Sequence, residues 1–123
     1  MRFMTLVRSP EKSPAGPPPK ELFDAVIKLG EEMSKAGVMI EWGGLMSTAT
    51  GAILRLEGGK LRVIDGPFSE AKEVIGGYSI YSVKSKEEAI QWATRFMNLH
   101  KQLWPGWDGE TELRQMVDFG PTK

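Results

Sequence analysis

Two features of this 123-residue chain have residue types suited to proton transfer: an acidic turn and one histidine. The turn is the string Asp65-Gly66-Pro67-Phe68, which follows a strand-like segment. In one interpretation the Asp65 carboxylate fixes the turn by accepting main-chain N–H bonds. In the other, a partly desolvated Asp65 acts as an acid or base on a bound molecule. The residue pattern leaves both interpretations open.

His100 is the only histidine, and the chain has no cysteine. These counts exclude a disulfide framework, thiolate metal sites and a two-histidine metal site within one chain, so we expect neither a metal nor a cofactor. Helical spacing places His100 on the inner stripe of a helix, one turn from its end. A hydrogen-bonded packing role and a catalytic role are both compatible with that position, and packing is the simpler interpretation.

Further candidate ligand-binding residues lie on the strands around the acidic turn. The predicted hairpin places Arg55 opposite Arg62, and two like charges facing each other require compensation. An anionic ligand between subunits would provide it, and so would carboxylates of a partner subunit. The residues that we expect to bind a ligand near the turn are Trp42, Arg55, Arg62, Asp65, Gly66, Pro67, Phe68 and Tyr78.

Alternation and helical spacing of apolar residues predict the elements that position these side chains. A proline-rich loop, 9–19, separates the first strand from the first helix, and a capping box at Ser85 and Glu88 opens the second helix. The predicted strands are 2–8, 38–42, 52–57, 60–65, 75–83 and 111–119, and the predicted helices start at Lys20 and Ser85. This order predicts one α+β domain over 1–123, ferredoxin-like, with two helices on one face of an antiparallel sheet.

The Gly58-Gly59 turn fixes the register of the predicted hairpin. Counting back from this turn pairs Leu56 with Leu61 and Leu54 with Val63, so these four side chains share one face. We expect a positive φ at Gly66 in the next turn, which would make Gly66→Ala more damaging than Asp65→Ala.

The sheet face without helices is predicted to be part apolar and part charged. It would present Met4, Leu6 and Ile53 beside Arg55 and Arg62, which suits neither water nor a dry core. A second subunit covering this face, with a semi-polar cavity between the two sheets, would satisfy both requirements. The sequence therefore predicts a homodimer. Because the helices lie on the other face, we expect His100 to be separated from this cavity by the sheet.

Composition narrows the possible partners. Sixteen Lys and Arg balance sixteen Asp and Glu, so the chain lacks the concentrated positive charge that holds nucleic acid. No apolar run approaches the roughly 20 residues of a membrane span, and the first residues have no signal-peptide pattern. We expect a cytoplasmic protein whose partners are itself and a small molecule, without nucleic acid or membrane.

Several strings in the chain resemble one family of small bacterial proteins. They are RFMTLV at 2–7, DGPF at 65–68, SEAKEVIGGY at 69–78 and WPGWDGETELRQ at 104–115. Together they resemble the YCII-related family, in particular its branch of DGPF-domain proteins. The resemblance implies a dimeric α+β barrel, in which two ferredoxin-like sheets face each other. Some relatives are small-ring lyases or isomerases that use a His/Asp pair, whose histidine lies in the first helix.

The first predicted helix of this chain, 20–36, contains no histidine. His100 lies in the second helix and does not take over that role by position. The leading expectation is therefore a ligand-binding or regulatory accessory homodimer. The alternative is a cofactor-independent lyase or isomerase acting on a small cyclic or carbonyl compound, with Asp65 as acid or base. The sequence leaves open whether the protein is an enzyme.

Overall fold

A computed structural model describes residues 1–119 of the chain. The described part is an α+β structure of six strands, two helices and one short 3-10 turn. In chain order these are β1 (Arg2–Ser9), α1 (Lys20–Lys35), β2 (Met39–Gly44), the 3-10 turn (Thr48–Thr50), β3 (Ala52–Glu57), β4 (Lys60–Asp65), β5 (Val74–Ser82), α2 (Lys86–Leu103) and β6 (Glu110–Gln115).

Four strands form the main sheet in the order β2-β5-β1-β6. Every neighbouring pair is antiparallel, and the register places Phe3 opposite Tyr81 and Thr5 opposite Ser79. This strand order is ferredoxin-like, with the β3-β4 hairpin inserted between β2 and β5. The predicted α+β class, with two helices and an antiparallel sheet, is confirmed.

The core lies between the two helices and one face of this sheet. Phe3 and Tyr81 from the central strands pack with Met33 of α1 and Ala89 of α2, all less than a tenth exposed. Alternation along the strands directs these residues to the helix side and Met4, Leu6 and Ile80 to the other side. The helices therefore cover one face only, and the other is called the uncovered face below.

The start of α2 has the predicted capping box, and a glycine follows the end of α1. The Ser85 hydroxyl accepts a bond from the Glu88 main-chain N–H, while the Glu88 carboxylate accepts one from the N–H of Lys84. At the end of α1, Gly37 adopts a φ of 75°. Neither helix within residues 1–119 combines the length and the apolar character needed to cross a membrane.

The β3-β4 hairpin has the predicted register but a different place in the fold. Leu54 pairs with Val63 and Leu56 with Leu61, across a turn whose two glycines have φ of 59° and 76°. However, the two strands form a sheet of their own. The predicted mixed face is therefore wrong, since the hairpin residues Ile53, Arg55 and Arg62 do not lie beside Met4 and Leu6. Alternation along a strand predicts which of its residues share a face, but it does not predict which distant strand lies next to them.

The last strand is shorter than predicted. It ends at Gln115, opposite Phe3, and the Met116 N–H still reaches the Arg2 oxygen. Beyond this point β1 offers no further partner, because β1 itself starts at Arg2. Val117 and Phe119 are accordingly 68% and 88% exposed.

Gly66 is required for a reason other than the one predicted. Its φ is not positive, and the Gly66-Pro67 peptide bond is cis. A β-carbon at Gly66 would overlap the main-chain oxygen of Thr48, while the Gly66 N–H donates to the Gly51 oxygen at 2.9 Å. The main chain of Gly66 lies so close to that of Thr48 that no side chain fits at position 66.

Candidate functional site

A cavity of about 540 Å³ lies between the two helices and the helix-covered face of the sheet. Its mouth is flanked by Phe23 and Ile27 of α1, which are 56% and 47% exposed. The cavity is lined by residues from both helices, from the main sheet and from the loop after α2. They include Thr5, Gly30, Trp42, Ser79, Tyr81, Phe96, His100, Trp104 and Trp107.

This position differs from the predicted one. The predicted cavity lay on the uncovered face, across the sheet from His100. The cavity in the single chain lies on the helix side, and His100 is part of its wall. The prediction treated the helix side as closed core, whereas residues of both helices and of β1, β2 and β5 border an open space there.

His100 is 8% exposed and lies in the last turn of α2. Its Nδ1 is 3.0 Å from the main-chain oxygen of Phe96. Because a carbonyl only accepts, Nδ1 carries the proton and Nε2 keeps a free lone pair. Burial lowers the pKa of His100 below its ordinary value of 6.5, against the opposing effect of the Phe96 bond. The ring is therefore neutral at pH 7 and acts as a hydrogen-bond acceptor.

Three aromatic rings surround the imidazole. Phe96 and Trp107 lie 4.5 and 4.7 Å from it between ring centroids, and Trp104 stacks on Trp107 at 5.4 Å and 15°. Nε1 of Trp104 is buried without a hydrogen-bond partner among residues 1–119. The two tryptophans follow the end of α2 and form one wall of the cavity.

Hydroxyl groups from the two central strands form the opposite wall. Thr5 and Ser79 face each other across β1 and β5, and their hydroxyls are hydrogen-bonded. Burial raises the pKa of the Tyr81 phenol, and hydrogen bonding to Ser79 and Thr5 opposes the rise. The cavity thus offers neutral donors and acceptors on the sheet side and a neutral acceptor on the helix side.

Two of the predicted ligand-binding residues border this cavity. Trp42 of β2 places its indole against Gly30 of α1, and Tyr78 of β5 borders the cavity at the Gly43 side. The Tyr78 hydroxyl donates to the Glu41 carboxylate at 2.6 Å, a bond that raises the pKa of Tyr78. The cavity therefore brings Trp42 and His100 together, whereas strand alternation directs the Tyr78 side chain to the uncovered face, beside Leu6.

The acidic turn lies outside the lining residues of this cavity. Asp65 is exposed, and no side-chain hydrogen bond within residues 1–119 involves it. Phe68 packs near Gly51, and its N–H donates to the Thr48 hydroxyl at 3.0 Å. Gly66 and Phe68 thus join the turn to the 3-10 turn, while Pro67 is exposed. A ligand-binding role for these four residues stays a prediction.

The arginine pair also lies away from the cavity. Arg55 and Arg62 face each other across the hairpin, as predicted, and both are exposed. Glu57 lies 3.5 Å from Arg62 and compensates part of the repulsion within the same hairpin. Among the described residues this ion pair supplies part of the required compensation, and a ligand-binding role for Arg55 and Arg62 stays a prediction.

The proline-rich loop connects the cavity mouth to the inserted segment. Pro18 borders the cavity, and Glu11, earlier in the same loop, binds the start of the 3-10 turn. The Glu11 carboxylate accepts from the Thr48 N–H at 2.6 Å, the Thr48 hydroxyl at 2.7 Å and the Ser47 hydroxyl at 3.0 Å. These bonds, with those to Thr48 foremost, lower the pKa of Glu11. We call this set the Glu11 latch.

Sequence reasoning missed the hydroxyl wall and the glycine beside Trp42. Thr5 and Ser79 are 74 positions apart, so only the β1-β5 register makes them neighbours. A weak signal was available: Thr5 alternates with Phe3 and Val7 on the side that faces the helices. Gly30 in the apolar stripe of a helix is a second such signal, because glycine there favours a close neighbour.

The polar side chains that line the cavity are uncharged. None of the lining residues within 1–119 is Asp, Glu, Lys or Arg. Over the same residues, no group of three or more His, Asp or Glu side chains is placed to hold a metal ion. The cavity can therefore bind an uncharged molecule by apolar contact and hydrogen bonds, with His100 as its one group that titrates near neutral pH.

Comparison with known proteins identifies the family of the chain. The chain is 30% identical over 87 residues to a protein of Rhizobium meliloti (strain 1021) that is described only as uncharacterised. This alignment covers 71% of the chain and 66% of that protein, slightly less than two thirds of its length. The profile of the YCII-related domain matches residues 1–104. The chain therefore belongs to the YCII-related domain family.

Proposed function

We propose that this protein binds a small, flat, uncharged molecule in the cavity between its helices and its sheet. The observation that carries the proposal is a cavity of about 540 Å³ that is lined by aromatic rings and has no charged lining residue among those described. This volume is typical of sites for small organic molecules. An anion or cation would lose its hydration there without gaining an opposite charge, so the lining favours neutral ligands.

Two walls of the cavity support a specific orientation of the ligand. Nε2 of His100 accepts a hydrogen bond from an O–H or N–H group, and the hydroxyls of Thr5 and Ser79 serve a polar atom on the sheet side. The stacked rings of Trp104 and Trp107 offer an apolar surface beside the imidazole. A planar ligand with one donor group fits these features.

The test uses two probes of nearly equal size, 2-naphthol and 2-naphthoate. Three of the four tryptophans border the cavity, and Trp92 does not. We expect 2-naphthol to quench tryptophan fluorescence saturably and to bind at least tenfold more tightly than the anionic naphthoate. The quenching should be retained in Trp92→Phe. Equal binding of both probes, or no saturable binding of 2-naphthol, would contradict the proposal.

A second experiment tests the role of His100. In His100→Phe the cavity keeps an aromatic ring but loses the Nε2 acceptor. We expect about tenfold weaker binding of 2-naphthol, which is the effect of one buried hydrogen bond of about 1.4 kcal/mol, and unchanged binding of naphthalene. Equal loss for both probes would show that the substitution damages the cavity rather than one hydrogen bond.

A regulatory or accessory role would follow from ligand binding, and an enzymatic role is the second candidate. The feature that favours catalysis is a neutral imidazole whose Nε2 can take a proton from a bound molecule. This feature supports His100 as the base for proton transfer on a cyclic or carbonyl compound. Asp65 has less support for that role, because it lies outside the cavity lining. Isotope exchange of acidic C–H protons of a bound ligand, lost in His100→Phe, would identify catalysis.

We also propose that the protein works as a homodimer of the DGPF branch in the cytoplasm. The support is the uncovered face of the main sheet, where Met4, Leu6, Tyr78 and Ile80 form a partly apolar surface without a helix. Light scattering at micromolar concentration should then report twice 13.7 kDa. A monomer at all accessible concentrations would contradict this proposal and would leave ligand binding untouched.

A further inference from the structure

The β3-β4 hairpin carries an apolar face that no other described part of the chain covers. Its two strands pair with each other only and form a sheet separate from the main one. Four aliphatic side chains lie together on one face and are 64% to 73% exposed: Leu54, Leu56, Leu61 and Val63. We call this set the hairpin strip.

An isolated hairpin of this length needs a covering surface. Two six-residue strands are marginally stable in water by themselves, because one face cannot be buried. Moreover, an exposed two-stranded sheet with aliphatic residues invites association. The anchor at its base is the contact of Gly66 with Gly51 and Thr48, and this contact leaves the strip open.

The opposite face of the hairpin is charged, and this face would remain in water when the strip is covered. Arg55 and Arg62 lie there, together with Glu57 and Lys60, which face each other beside the turn. Arg62 and Glu57 form an ion pair at 3.5 Å. Burial of the strip against a partner therefore leaves these four charges in solvent, and the one charge on the face of the strip, Asp65, lies at the end of β4 farthest from the turn. The hairpin is thus amphipathic in the way an interface strand requires.

The area of the strip matches what a pair of identical chains needs. The exposed fractions of the four side chains correspond to an apolar patch of roughly 500 Å², at the upper end of what monomers expose. Two such patches packed together bury on the order of 1,000 Å², the lower limit for a specific interface. A two-fold axis brings identical patches face to face, and sheets pack through interdigitating apolar side chains in the same manner.

We propose that the hairpin strip is the docking surface for a second copy of this chain, strip against strip. The proposal names a surface for the homodimer proposed above and does not depend on the ligand. In this dimer the hairpin strip makes the contact, either alone or together with the uncovered face of the main sheet.

The test uses the absence of cysteine from the sequence. Leu56→Cys introduces one thiol in the middle of the strip, and Arg55→Cys introduces one on the charged face of the same strand. Under mild oxidation we expect Leu56→Cys to form a disulfide-linked dimer at low micromolar concentration, at least tenfold faster than Arg55→Cys. Equal rates for the two variants would overturn the proposal.

Light scattering separates this surface from the others. We expect Leu56→Glu to be monomeric at 13.7 kDa with an unchanged circular dichroism spectrum, and Arg55→Glu to keep the mass of the unmodified chain, twice that value. If Leu56→Glu stays dimeric while Met4→Glu dissociates, the dimer uses the main sheet and the hairpin proposal is wrong. If the unmodified chain is monomeric, or binds lipid vesicles through the strip instead, both the hairpin proposal and the homodimer fail.

Discussion

The indole of Trp42 lies so close to Gly30 that a β-carbon on Gly30 would come within 2.8 Å of Trp42 Cζ2. Gly30 is buried in the middle of α1, a position where glycine lowers helix stability by about 1 kcal/mol relative to alanine. The ring that fills this space belongs to an edge strand and is 40% exposed. The two residues therefore set the distance between α1 and β2 at the side of the cavity.

The first prediction is an energetic coupling between Gly30 and Trp42. In a Trp42→Ala background, Gly30→Ala should stabilise the fold by about 1 kcal/mol, because only the helix preference remains. In the unmodified chain the same substitution must displace the indole, so we expect no gain or a net loss. Urea unfolding of the four proteins gives the coupling, at about 1 kcal/mol or more. The same effect in both backgrounds would refute the contact.

The second prediction concerns acidification and His100. The folded chain has a lowered His100 pKa, so between that value and about 6.5 the unfolded chain binds more protons. Stability is therefore complete above pH 6.5 and is lost as the pH falls through this window, at up to about 1.4 kcal/mol per pH unit.

Urea midpoints between pH 5 and 8 measure this slope, with His100→Gln as the control that should lack it. The other groups with a lowered pKa that respond to acid are Glu11 and Glu32, and these shift downward from 4.5. Both carboxylates titrate below pH 4.5, which is outside the range of pH 5 to 8 used for this measurement. An equal slope in the two proteins would show that His100 is not the group responsible.

The third prediction compares two glycine substitutions. Gly66→Ala should destabilise the fold by about 1 to 3 kcal/mol, because its β-carbon meets the Thr48 main-chain oxygen and neither segment can move freely. Gly76→Ala is the matched control, since a β-carbon there meets nothing within 4 Å. Asp65→Ala should also be near neutral, because Asp65 is exposed. Similar denaturation midpoints for all three variants would contradict the close approach.

The fourth prediction tests the Glu11 latch. Glu11→Gln removes the carboxylate that binds Ser47 and Thr48, and should speed hydrogen exchange in the loop 10–19 and at the Thr48 N–H. Lys12→Gln, next to it in the same exposed loop, should leave exchange unchanged. Because the folded pKa of Glu11 is lowered, the latch is complete above pH 4.5 and is lost as the pH falls through that lowered value.

Local patterns in the sequence predicted local structure well. The hairpin register followed from Gly58-Gly59 and from alternation on both sides of this turn. The start of α2 followed from Ser85 and Glu88, whose side chains bind main-chain N–H groups as expected. Such features depend on residues within about four positions of each other, where spacing determines geometry.

The site was harder to predict because its walls come from segments far apart in the chain. The pairing of Thr5 with Ser79 depends on a strand register that no turn fixes. His100 was assigned to the correct helix face, but the cavity beside it on the helix side was not predicted. The Gly66 requirement was attributed to φ, whereas it arises from a main-chain contact with Thr48. Long-range packing, which spacing does not report, decided each of these points.

The place where the hairpin segment is inserted has a consequence for protein engineering. The segment leaves the main sheet after Gly44 and returns before Gly77, and these two residues are paired neighbours on β2 and β5. Residues 74–76 lie between this pair and the end of the insertion, so a short linker that runs antiparallel to 74–76 before turning can replace residues 45–73 while the pairing of β1 with β5 and β6 is kept. The free energy of unfolding of such a shortened chain would measure how much the insertion contributes to the stability of the ferredoxin-like scaffold. The same position can accept a foreign loop.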